Sequence, residues 1–83
     1  MTAYLSMVED LQQIYGLALE AHEQKDFDRA VQLYGRILAR FPDGDLVLYN
    51  QGLALYQLDR FAESAAVFAR AAEIRDDDAD TWF

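Results

Sequence analysis

The sequence predicts an all-α fold: antiparallel helical hairpins stacked as a right-handed α-solenoid. Three observations carry this expectation. Apolar residues recur at spacings of three and four through four successive segments. No stretch alternates apolar and polar residues for long enough to make a strand. The side-chain character of the chain repeats at an offset of 34 residues.

The first helix is expected over residues 3–24, because Leu11, Ile14, Tyr15, Ala18, Leu19 and Ala21 fall on one helical face. Its start lies within residues 2–6, where Ser6 and Glu9 also have the spacing of a capping box. The second helix, 27–40, repeats the pattern with Ala30, Val31, Tyr34, Ile37 and Leu38. Pro42, the single proline, stands with Asp43, Gly44 and Asp45 in a loop that separates two hairpins. The third and fourth helices follow at 45–58 and 61–75. Short turns at Lys25-Asp26 and Asp59-Arg60 join the helices of each hairpin, with Phe27 and Phe61 packing back on the preceding helix.

The repeat needs its register fixed before any residue is given a role. Gly16-Leu17-Ala18-Leu19 and Gly52-Leu53-Ala54-Leu55 match at an offset of 36, but that offset sets Phe27 against Glu63. An offset of 34 pairs Ile14 with Leu48, Tyr15 with Tyr49, Leu19 with Leu53, Phe27 with Phe61 and Tyr34 with Phe68. Side-chain character then agrees over both helices, and Ala18 with Gly52 becomes the small position of each first helix. Ala30 and Ser64 supply small residues from the other side of the seam, and a bulky side chain at Gly52 is expected to overpack it.

A period of 34 with two helices per unit resembles the tetratricopeptide repeat. The residues that carry the resemblance are Ala18, Phe27, Ala30, Tyr34 and Pro42 in the first unit and Leu48, Gly52, Phe61, Phe68 and Ala71 in the second. Gln51 stands where Leu is usual, Ser64 where Ala is usual, Leu55 and Ala21 where Tyr is usual, and Asp76 where Pro is usual. The organisation expected is a single domain, 1–83, with a helical extension at 1–10, repeats at 11–44 and 45–78, and the start of a third repeat at 79–83.

Composition excludes several classes of function. The chain carries seven Lys and Arg against fifteen Asp and Glu, a formal charge of −8, so the basic footprint that phosphate backbones and anionic lipid attract is missing. Nucleic acid and membrane are not expected partners. There is no cysteine and one histidine, His22, which removes disulfides, thiolate sites and two-imidazole zinc motifs. The dense run Asp76, Asp77, Asp78 and Asp80 lacks the glycine bend and distal Glu of a calcium loop, and Asp78 is read as the N-cap of a following helix. No nucleophile motif or phosphate loop occurs, so neither an enzymatic activity nor a cofactor is expected. The opening residues lack the basic start of a signal peptide and no apolar run reaches the roughly 20 residues of a membrane span, so a cytoplasmic location is expected.

The resemblance implies a concave surface built by the first helix of each unit. Its expected lining is Tyr15, Leu19 and His22 from the first unit and Tyr49, Leu53 and Tyr56 from the second, a set suited to seating a peptide or helix. Some members of the family clamp a chaperone's terminal carboxylate with basic residues and Asn. The corresponding positions hold Tyr15 and Asp80, with only Asn50 matching, so that ligand is disfavoured. The function implied is a non-catalytic protein-interaction module, the amino-terminal part of a longer array. The alternative is an accessory or oligomerisation segment of a larger bacterial enzyme such as a methyltransferase or glycosyltransferase. Trp82 and Phe83, with the apolar side of the fourth helix, are expected to form a self-association end that supports a homodimer.

Overall fold

The computed structural model describes residues 2–80, and side chains over residues 9–75. Four helices follow one another: α1 (Thr2–Glu23), α2 (Phe27–Leu38), α3 (Asp45–Gln57) and α4 (Phe61–Asp80). No strand occurs among the described residues. Each helix packs against the next in the chain, α1 on α2, α2 on α3 and α3 on α4. The result is a slab of 41 × 38 × 18 Å, two helix diameters thick.

Two helix ends depart from the sequence expectation by more than one residue. The second helix stops at Leu38 instead of 40. Arg40 N–H turns back to the Ile37 carbonyl in a tighter bond, and Pro42 disfavours helical backbone in the residue before it. The fourth helix runs to Asp80 instead of 75, which places Asp78 inside the helix and not at the cap of a following one. Neither Gly nor Pro occurs between Phe61 and Asp80, and each aspartate costs a helix interior only a fraction of a kcal/mol, about 0.7 at most. Trp82 and Phe83 lie outside the described residues.

The two intra-hairpin turns are the same structure built twice. Lys25 and Asp59 take the left-handed conformation, with φ of 63° and 61°. The Lys25 N–H bonds to the His22 carbonyl at 3.0 Å and the Asp26 N–H to the Ala21 carbonyl at 2.8 Å. Asp59 N–H to Tyr56 and Arg60 N–H to Leu55, both 3.0 Å, repeat that pair 34 residues on. This is the Schellman closure of a helix C-terminus, which satisfies carbonyls that the helix leaves open. Aromatic rings then clamp both turns: His22 meets Phe27 edge-on at 5.4 Å, and Tyr56 meets Phe61 at 5.1 Å.

Small residues bring the helices of each hairpin together. Ala18, Ala30 and Tyr34 are fully buried in hairpin one, with Ala21, Leu33 and Ala54 completing a common cluster. In hairpin two Ser64, 2% exposed, replaces the alanine and donates its hydroxyl to the Gly52 carbonyl at 2.8 Å, so the buried polar group is satisfied. A Cβ on Gly52 would lie 2.7 Å from Phe68 Cε1. A Cβ on Gly16 would meet nothing within 4 Å. The structure thereby bears out the 34-residue register: Gly52 is the partner of buried Ala18, and its match to Gly16 is coincidental.

Two pairs of substitutions test this packing in denaturant unfolding. Gly16→Ala is expected to raise stability by about 0.5–1 kcal/mol, because it removes a flexible residue from a helix interior without a clash. Gly52→Ala is expected to lower it by about 1–3 kcal/mol through overpacking against Phe68. At the first turn, Lys25→Gly relieves a left-handed side chain and should stabilise by up to about 1 kcal/mol, whereas the β-branched Lys25→Val should destabilise by at least that much. Equal effects at the two glycines would rule out the 34-residue register.

Candidate functional site

The first helix of each hairpin carries the residues expected to line a common face. Along α3, Leu46, Tyr49, Leu53 and Tyr56 fall at spacings of three and four and form a single stripe. Leu46 and Tyr56 are each 56% exposed and Tyr49 46%, while Leu53 is half-buried. Along α1, Tyr15 and His22 are half-buried and Leu19 is 38% exposed. The stripe is therefore open on α3 and largely turned into the fold on α1.

Hydrogen bonds explain why the α1 half is turned inward. The Tyr15 hydroxyl accepts from Asn50 Nδ2 at 2.9 Å, which ties α1 to α3, and its ring leans on Tyr34 with centroids 6.2 Å apart. His22 Nδ1 lies 3.2 Å from the Tyr34 hydroxyl. Burial, and to a lesser degree the neighbouring Tyr15, pushes the Tyr34 phenol up to about 12. Tyr15 and His22 thus serve the seam as well as the face, whereas Leu19, Tyr49 and Tyr56 are exposed, the two tyrosine rings each resting one side on Phe68 and Phe61.

Sequence reasoning missed a second seam residue. Gln51 looks like a departure from the repeat pattern, yet its Nε2 donates to the Val31 carbonyl at 3.2 Å. Gly35 lies beside it, where a Cβ would sit 3.6 Å from that amide nitrogen, an ordinary contact. An amide at a position where the repeat pattern has Leu is the signal from which the contact could have been found.

Charge on the molecule is peripheral. Arg70 and Arg75 of α4 pair with Asp43 in the loop before α3 and Asp45, its first residue, at 2.7 and 3.1 Å, and Arg60 pairs with Glu63 at 2.6 Å. These exposed pairs are worth little individually. Asp28, Asp45 and Glu63 stand in the first turns of α2, α3 and α4, where the helix dipole favours an acid. Among the described residues no group of His, Asp or Glu could hold a metal ion, and no helix is long and apolar enough to cross a membrane.

Tyr34 gives the seam a measurable pH dependence. Its phenol is protonated in the fold and its folded pKa lies above the ordinary 10, so the stability it contributes is fully present below pH 10 and is lost as the pH climbs through about 12. Unfolding free energy should decline over that interval, and Tyr34→Phe should flatten the decline. An ultraviolet titration in which all tyrosines ionise together near pH 10 would contradict this reading.

The comparisons with known proteins agree with the geometry. No curated protein matches the chain. A family model, the tetratricopeptide repeat, matches residues 15–79, which takes in both Schellman turns, both small-residue seams, the last part of α1, all of α2 and α3 and nearly all of α4. Repeats of this kind are typically non-catalytic modules that bind other proteins. With two hairpins repeating at 34 residues and this match over most of its length, the chain belongs to the tetratricopeptide repeat family.

Proposed function

We propose that this chain is a non-catalytic interaction module that seats a peptide or short helix against Leu19, Tyr49, Leu53 and Tyr56, with Tyr15 and His22 forming the floor on the α1 side. The observation that carries the reading is the α3 stripe, in which Leu46, Tyr49 and Tyr56 remain about half exposed on an ordered helix. Large apolar and aromatic side chains gathered on one face mark contact surfaces, and tyrosine offers contact area with few rotors and a polar tip. The formal charge of −8 favours a ligand with basic residues at its flanks and steers its approach.

Peptides selected against the domain from a display library provide the test. Tyr56→Ala and Leu53→Ala are each expected to weaken a selected peptide by about tenfold or more, the scale of a central contact residue. Gln32→Ala, on the exposed side of α2, should leave affinity unchanged. Raising salt should slow association far more than it speeds dissociation. Selected peptides whose affinity survives the α3 substitutions but is lost with Gln32→Ala would overturn the proposal.

A further inference from the structure

His22 and Tyr34 form a polar pair that hairpin two does not repeat. One unit further on, Tyr56 stands in the place of His22 and Phe68 in the place of Tyr34. The ring contacts are kept, with His22 edge-on to Phe27 and Tyr56 edge-on to Phe61. The hydroxyl is not, since Phe68 has none, and hairpin two therefore has no counterpart of the bond between Tyr34 and His22 Nδ1.

Burial decides the direction of that bond. Tyr34 is 0% exposed, and among the described residues its hydroxyl has one partner, His22 Nδ1 at 3.2 Å. Burial also keeps the phenol protonated, up to about 12. Its proton needs an acceptor, and Nδ1 is the acceptor within reach. Were Nδ1 the protonated nitrogen, the Tyr34 proton would be stranded in a dry seam. In the neutral imidazole the proton is then on Nε2. Nε2 bonds to no protein group among the described residues, and none of their buried side-chain nitrogens or oxygens lacks a partner, so Nε2 opens to solvent. Tyr15, Leu19 and His22, at spacings of four and three, fall on one side of α1.

We propose that His22 sets the chemistry of the ligand by donating from Nε2 to a main-chain carbonyl of an extended peptide, with Tyr34 as the positioning residue that holds this tautomer. The assignment rests on the face of Leu19, Tyr49, Leu53 and Tyr56 being the peptide site. A fixed N–H at this point demands an acceptor and rejects a donor. The formal charge of −8 repels a carboxylate, which leaves a neutral carbonyl. Carbonyls inside a helix are already bonded to the amide four residues on, whereas those of an extended segment are open. A docked helix would bury the Nε2 proton without a partner. Of the two ligand shapes the face could seat, His22 selects the extended one.

Two measurements on the whole chain at mildly alkaline pH test this. A long-range proton–nitrogen correlation spectrum of the imidazole should show Nε2 protonated and Nδ1 bare, and Tyr34→Phe should turn it into a mixture of the two tautomers. A spectrum with Nδ1 protonated overturns the proposal. The second probe is a peptide selected against the domain from a display library. His22→Phe combined with Tyr34→Phe leaves no stranded hydroxyl and copies the Phe68 of hairpin two. It should weaken that peptide about five- to tenfold relative to Tyr34→Phe alone, the scale of one hydrogen bond. The bound peptide should show the strong sequential contacts between α-proton and amide of extended backbone, and the His22 effect should survive alanine in place of each of its Asn and Gln residues. Helical contacts, indifference to the His22 change, or loss of its effect with one ligand side-chain amide each overturn the proposal. If Leu53→Ala weakens binding and the His22 change does not, the peptide site stands and only this donor falls. If neither matters, or if the library yields no peptide, the face itself is not the site and the proposal falls with it.

Discussion

The approach of one helix backbone to the next at a residue with little or no side chain is the constraint on which the structure rests. In hairpin one the contact is alanine on alanine, at Ala18 and Ala30, both fully buried. In hairpin two it is tighter, with no Cβ at Gly52 and the Ser64 hydroxyl reaching the Gly52 carbonyl. The close distance sets where Phe68 can lie, and Phe68 supports Tyr49, one of the exposed aromatics of the α3 stripe. A chain of contacts thus runs from a missing methyl group to the exposed stripe of α3. Dispersion and burial reward such fitting only when the partners are close-packed, which is why volume at these few positions matters more than hydrophobicity.

How much of this was legible depends on the kind of signal. Helix number, hairpin pairing and the turns could be read because spacing and small-residue positions act locally and repeat. The end of α4 could not: with no Gly or Pro to stop it, the aspartate run continues the helix to Asp80, and reading Asp78 as a cap assumed a break that only the family pattern suggested. Gln51 was read as an imperfection because its partner, the Val31 carbonyl, belongs to the other unit, and long-range pairs leave no periodic trace. The face on α3 was legible as a stripe of Leu and Tyr. That Tyr15 and His22 turn inward was not, because it depends on Asn50 and Tyr34 meeting them across the fold.

The polar contacts of the seam differ in purpose from the apolar ones. Alanine on leucine tolerates sliding, since neighbouring turns of a helix offer similar surfaces. A side-chain amide held to one phenol and another held to one carbonyl do not, because a slip of a turn would strand both amides against apolar residues. Asn50 and Gln51 therefore fix the register of hairpin two on hairpin one, and the departure from the usual leucine exchanges some apolar burial for a unique alignment.

The order of packing along the chain also gives the molecule a kinetic direction. Contacts run between successive helices, so loops closed on folding are short and the search is fast. The shared buried cluster is made largely of α1 and α2, with Ala54 its contribution from α3, while α4 is held on one side by α3. Partial opening should begin by release of α4, leaving α1, α2 and α3 associated, so amide protons are lost to solvent first from the carboxy-terminal helix and last from the Tyr34 segment. A protein of this build breathes from one end, and any ligand resting on α4 would hold shut the part of the fold that otherwise opens most often.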